Sequence, residues 1–195
     1  MEVQEEKFKE EDSLLIIQEM IQTAKSSFNE NGFQFLLWGW VVIIAGMGQY
    51  SLFMMGYKEY SSYPWFLTLP AAIYSGIYGY RFEKKMKVKT HVDTIINYLW
   101  GGFMISLILT MVFCVVNKVQ VTSYILLLCG IGTFTTGGAL KFKPLIWGGI
   151  LFWAFAILAI VFNGIEQLLI NSIAIFVGYL IPGYILRKKF KDEAA

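Results

Sequence analysis

From Asn97 to Asn117 the chain reads Asn-Tyr-Leu-Trp-Gly-Gly-Phe-Met-Ile-Ser-Leu-Ile-Leu-Thr-Met-Val-Phe-Cys-Val-Val-Asn, with no charged residue. A helix of that length, rising about 1.5 Å per residue, matches the roughly 30 Å hydrocarbon core of a bilayer. Buried in a soluble domain, such a run would need apolar cover all round. The chain as a whole does not read as a soluble domain either, being 56% hydrophobic and 15% charged against about 25% charged for soluble proteins. The run therefore predicts a membrane-spanning helix.

Six apolar segments follow one another, at about 33–56, 64–80, 95–116, 121–140, 144–162 and 168–186. The second contains Pro70 and the sixth Pro182, which spans tolerate when neighbours satisfy the freed carbonyl, usually with a kink. The connections alternate in charge. Residues 57–63, 117–120 and 163–167 hold two basic residues, Lys58 and Lys118. The opposite side holds eleven: Arg81, Lys84, Lys85, Lys87, Lys89, Lys141, Lys143, Arg187, Lys188, Lys189 and Lys191. Basic loops stay cytosolic, so this bias predicts six spans with both termini in the cytosol.

The Leu-Trp-Gly-Gly opening of the 97–117 run is echoed at Leu37-Trp38-Gly39-Trp40 and at Ile146-Trp147-Gly148-Gly149. Trp38 to Arg81, Trp100 to Lys141 and Trp147 to Arg187 span 43, 41 and 40 positions. Such agreement predicts three two-helix hairpin repeats about an axis along the membrane normal. Tryptophan's preference for interfaces and glycine's for spans would produce part of this pattern without duplication.

Ahead of the spans lies an acidic arm, residues 1–32. Residues 2–12 do not fit a secretory signal, which begins basic and then turns apolar, so the first span is expected to act as the insertion signal. Asp12 or Ser13 can cap a helix in which Leu14, Ile17, Ile21, Ala24 and Phe28 form one apolar stripe, with Asn31-Gly32 as its stop. Two heptads cannot sustain a coiled coil alone. The stripe, and in it Leu14, Ile17, Ile21 and Phe28, is expected on the membrane surface, on the cytosolic face of the bundle, or against a partner. The expected organisation is thus an arm over 1–32, a transmembrane domain over 33–187 and a cytosolic tail over 188–195.

No Asp, Glu, Lys, Arg or His falls deep in any span, and such groups mark proton relays and intramembrane active sites. The single histidine, His91, lies in the loop before the third span. HExxH, GxSxG and phosphate-binding loops are missing from the sequence, so neither enzyme activity nor a cofactor or metal is expected. Cys114 and Cys129 lie in apolar runs and form no CxxC pair. Uncharged polar residues do occur at depth, among them Gln49, Ser75, Thr133, Thr136 and Asn171. They would either line a path for a neutral solute or hold helices together, at about 0.6–2 kcal/mol per hydrogen bond. The loop at 81–93, with Arg81, Lys84, Lys85, Lys87 and Lys89, would contact anionic lipid headgroups or the acidic arm.

The stretch Phe-Gln-Phe-Leu-Leu-Trp-Gly-Trp-Val-Val, with the amphipathic segment before it, resembles a group of small uncharacterised bacterial inner-membrane proteins over about residues 12–45. The hairpin plan is also loosely similar to bacterial stress-associated membrane proteins built from two-span repeats. These resemblances imply a multi-pass protein of the bacterial inner (plasma) membrane and transfer no site residue. Two functions stay open: a non-enzymatic accessory or regulatory protein acting through its cytosolic face, or a small transporter or channel for a neutral solute. Expected partners are the bilayer, anionic lipid, a cytosolic protein or a second copy of the chain, and not nucleic acid.

Overall fold

The computed structural model describes residues 32–85, 91–162 and 164–194. The acidic arm with Leu14, Ile17, Ile21 and Phe28 lies outside the described residues, as do Lys87 and Lys89. The described residues are helical, with no strand among them.

Helix α1, Gly32–Met54, leads through two short 3₁₀ turns, Lys58–Tyr60 and Tyr63–Leu67, into α2, Thr68–Lys85. Then come α3, His91–Asn117, α4, Thr122–Ala139, and α5, Lys143–Val161. The last stretch is continuous but changes pitch: α6, Gln167–Ile175, a π turn over Phe176–Leu180, and α7, Ile181–Ala194. Four stretches are long and apolar enough to cross a membrane: Gly32–Met54, Val92–Asn117, Lys143–Val161 and Gln167–Lys189. Helix α2 ends in Arg81-Phe82-Glu83-Lys84-Lys85, and α4 is 18 residues diluted by threonine and glycine, so neither joins that set on length and composition alone.

The helix ends have local causes. Gly56 (φ 92°), Lys118 (φ 54°) and Lys141 (φ 52°) each take the left-handed conformation just past a helix. The next N–H in each case reaches back five residues: Tyr57 to the Leu52 carbonyl, Val119 to Cys114 and Phe142 to Gly137. That is the Schellman closure, which satisfies carbonyls left open at a helix C-terminus. Pro144 opens α5, and Pro70 sits in the first turn of α2, where a missing N–H removes no helical bond. Pro70 therefore starts a helix and kinks none.

Pro182 acts otherwise. It has no N–H for the Gly178 carbonyl four residues back, and its ring crowds that carbonyl. The helix widens just before it, and the Ile181 N–H bonds the Phe176 carbonyl across five residues. The freed Gly178 carbonyl faces α5, where a Cβ added to Gly148 would lie 2.7 Å from its oxygen.

The most extensive helix pairing is α4 with α5, across the turn Leu140–Phe142. Glycine makes it possible: a Cβ on Gly137 would lie 2.6 Å from the Ile146 nitrogen, and one on Gly149 2.6 Å from the Phe134 nitrogen. Helix α1 runs against α6, the π turn and α7, and α2 packs on α1 and the turn Tyr63–Leu67. Helix α3 leans on α4. Only 6% of its most apolar window is buried, against 56% for Gln167–Lys189, so the last stretch is the centre and α3 the rim.

An aromatic chain ties that centre together. Tyr179 lies 4.9 Å from the Phe152 ring and 5.5 Å from Phe35, which in turn meets Trp100 at 6.0 Å. Four helical stretches thus share one seam. Of the Trp-Gly positions, Trp100 packs against this core, while Trp147 is 64% exposed. The echo in sequence therefore places its tryptophans in different environments.

Candidate functional site

Polar side chains between the helices fall into two kinds. Some stay within their own helix: Thr133 Oγ1 donates to the Cys129 carbonyl and Thr136 Oγ1 to the Gly132 carbonyl, each at 2.7 Å. Ser172 Oγ donates to Leu168 in the same way at 2.8 Å. A hydroxyl in an apolar surrounding lowers its cost by bonding the carbonyl four residues back.

Others join elements. Ser75 Oγ donates to Gln34 Oε1 at 2.7 Å, and Gln34 Nε2 donates to the Ser75 carbonyl, clamping α2 to α1. Trp65 Nε1 donates to Gln49 Oε1 at 2.6 Å, fixing the Tyr63–Leu67 turn against α1. Trp40 Nε1 donates to the Tyr184 hydroxyl at 3.1 Å, joining α1 to α7. At the far end of α5, Gln167 Nε2 donates to the Ala159 and Phe162 carbonyls, at 2.9 and 2.6 Å. Gln167 Oε1 is buried and has no hydrogen-bond partner among the described residues.

Gln49 and Ser75, two of the polar positions singled out in sequence, are thus paired across elements, and Thr133 and Thr136 within α4. Asn171 is buried on α6, four residues after Gln167 on the same face. Tyr179 stands within side-chain hydrogen-bonding reach of Cys129 and Thr133. This places a small polar knot at the π turn, against the aromatic seam. Nothing along the chain signals Gln34 or Tyr179 directly, since their partners lie far away in sequence, while Gln167 bonds carbonyls only five and eight residues back and was missed because it sits at a span end. Pro182 was the one pointer to the irregular turn.

Most of the basic residues gather at one end of the bundle, with Lys58 and Lys118 at the other. Arg81 and Lys84 are exposed on the last turns of α2, with the Lys84 ammonium 4.6 Å from the Tyr80 ring. Lys85 ends that helix. Lys141 and Lys143 are exposed at the turn into α5, and Arg187 and Lys188 on α7. Cations near the C-termini of α2 and α4 complement the negative ends of those helix dipoles. The start of α1 is built into this rim: a Cβ on Gly32 would lie 3.0 Å from the Gly183 carbonyl oxygen and 3.3 Å from the Arg187 nitrogen. Asp93 is buried at the same end, 5% exposed, and has an interaction partner.

At the opposite end a shallow groove of about 370 Å³ runs between Ser62 and Leu69 and is lined mainly by Tyr63, Trp65 and Phe66. Tyr60, Tyr63 and Phe66 form an exposed edge-to-face ladder beside it, at 5.4 and 5.9 Å. Aromatic rings at a span end suit the headgroup level of a bilayer. Among the described residues no three His, Cys, Asp or Glu side chains are grouped to hold a metal ion, and both cysteines are buried thiols. No family model, curated protein or solved structure matches the chain.

Proposed function

We propose that this chain is a non-enzymatic multi-pass membrane protein, an accessory or regulatory component that works through the charged end of its bundle. In this proposal Tyr63–Lys85 and Thr122–Ala139 cross the membrane beside the four more apolar stretches. That makes six spans in three hairpins in a bacterial inner membrane, with the charged end and both termini in the cytosol. The observation that carries it is the division of polar chemistry. Polar groups between the helices are mostly spent on bonds within the bundle, whereas all the exposed cations of the described residues but Lys58 and Lys118 share the end from which the arm departs. A surface of that kind recruits a partner or senses the bilayer and needs no reacting group at depth.

Its test is co-purification with cytosolic proteins, with and without residues 1–32, beside flux of neutral solutes into proteoliposomes. The expected outcome is one defined partner whose binding needs the arm and is lost in Ile17→Asp/Ile21→Asp, with no flux above protein-free vesicles. Saturable flux that survives removal of the arm would overturn the proposal. It would favour the alternative, a small transporter for a neutral solute, for which the buried knot of Tyr179, Cys129 and Thr133, with Asn171 on α6, is the supporting observation.

A further inference from the structure

We infer that the acidic arm, residues 1–30, docks on the basic rim of its own bundle formed by Lys141, Lys143, Arg187 and Lys188. Treating this end as the working face follows the function proposed above, but the docking itself needs only that arm and rim share one side. The position of Gly32 ensures that they do. Gly32 packs on Gly183 and the Arg187 backbone, and Glu30 stands two residues before it. Two residues of chain span at most about 7 Å, so Glu30 stays within about that distance of Gly32, which packs on the Arg187 backbone.

The neighbouring cations belong to the same rim. The Gly148–Gly178 contact fixes the relative height of α5 and the last stretch. At about 1.5 Å per residue, Lys143 lies about 7.5 Å below that contact and Arg187 about 13.5 Å below it, towards the same end. The arm is a matching polyanion, with eight acidic residues against Lys7, Lys9 and Lys25. The acids at this end are few: Asp93 is buried and partnered, Glu83 lies in the last turn of α2, and Asp192 and Glu193 lie in the last turn of α7. Tethering holds the arm's carboxylates at millimolar effective concentration around the cations. With a Debye length of about 8 Å at physiological salt, the attraction is felt across the rim and weakens steeply above it. An anionic membrane would repel the arm, so neutralisation by the rim is its natural resting place.

The test is zero-length carbodiimide coupling of carboxylates to lysine amines, on the full chain in neutral phosphatidylcholine nanodiscs, mapped by mass spectrometry. Arm carboxylates should couple to Lys141, Lys143 or Lys188, with yield falling about tenfold between 50 mM and 500 mM salt. Glu10→Gln/Glu11→Gln/Asp12→Gln/Glu30→Gln, which alters no residue of the folded bundle, should lose most of these products. Reversing both sides, with those four positions as Lys and Lys141, Lys143, Arg187 and Lys188 as Glu, should restore coupling with its polarity exchanged. Coupling confined to the arm itself would overturn the inference. So would protection of the rim lysines that appears only with anionic lipid and is the same without the arm, which would make the rim a headgroup site.

Discussion

Two adjacent glycines give the sharpest test of the packing described here. A Cβ on Gly137 would lie 2.6 Å from the Ile146 nitrogen and 2.9 Å from Leu145 atoms, and backbone cannot swing aside as a flexible side chain can. Regaining about 3.5 Å of ordinary contact would part α4 and α5 locally by roughly 0.9 Å, disturbing the most extensive interface in the molecule. Overpacking of this kind costs about 1–3 kcal/mol. Gly138, one residue on, has nothing within 4 Å of the corresponding position. There the same substitution meets no obstacle and gains helix propensity, up to about 1 kcal/mol. Gly137→Ala should therefore lower stability, and Gly138→Ala should leave it unchanged or raise it. Reversible unfolding in mixed micelles, by denaturing detergent or steric trapping, measures both on one scale. Equal behaviour of the two variants would refute the close α4–α5 approach, and a milder Gly137→Ala would refute it outright.

Other outcomes follow from the hydrogen bonds and helix ends. Ser75→Ala should cost about 0.6–2 kcal/mol in the same assay, and should cost little once Gln34→Leu is already present, because the pair is one interaction. Gln167→Leu should cost about 1–3 kcal/mol by uncapping the Ala159 and Phe162 carbonyls, and should speed amide exchange at the end of α5 before the rest of the bundle. Lys118→Gly should stabilise by about 1 kcal/mol, since a left-handed backbone strains a residue with a Cβ; a loss of stability would mean that the lysine side chain itself matters there.

The positions of the helices and the collection of charge at one end were legible because both depend on composition over long windows. The asymmetry among the helices was not. The sequence separates Thr133/Gly137 from Ser75/Gly79 by nothing visible, both having the small-residue spacing that favours close contact. Yet Gly137 is pressed against α5 while Gly79 has open space. Which glycine meets a neighbour depends on how the helices are arranged, and periodicity around a span says little when lipid and core are equally apolar. Lys118 and Lys141 hid their turns for a related reason, since glycine or asparagine is the usual sign of a left-handed stop and lysine is not. Of the candidate site, the basic positions could be read directly, but the placement of Arg187 beside Gly32 is a long-range fact. Pro182 signalled an irregularity, and the π turn before it, where the Ile181 N–H bonds the Phe176 carbonyl, is how the helix accommodates it.

Everything proposed for the charged end depends on which side of the membrane it faces. Cysteines introduced at Tyr60, Val119, Ile165 and Met86 can be labelled in intact cells with a membrane-impermeant maleimide; the native Cys114 and Cys129, 2% and 4% exposed, give little background. The account predicts labelling of Tyr60→Cys, Val119→Cys and Ile165→Cys from outside, and of Met86→Cys only after the cells are permeabilised. Labelling of Met86→Cys in intact cells, or protection of Val119→Cys there, would contradict six spans with a cytosolic charged end.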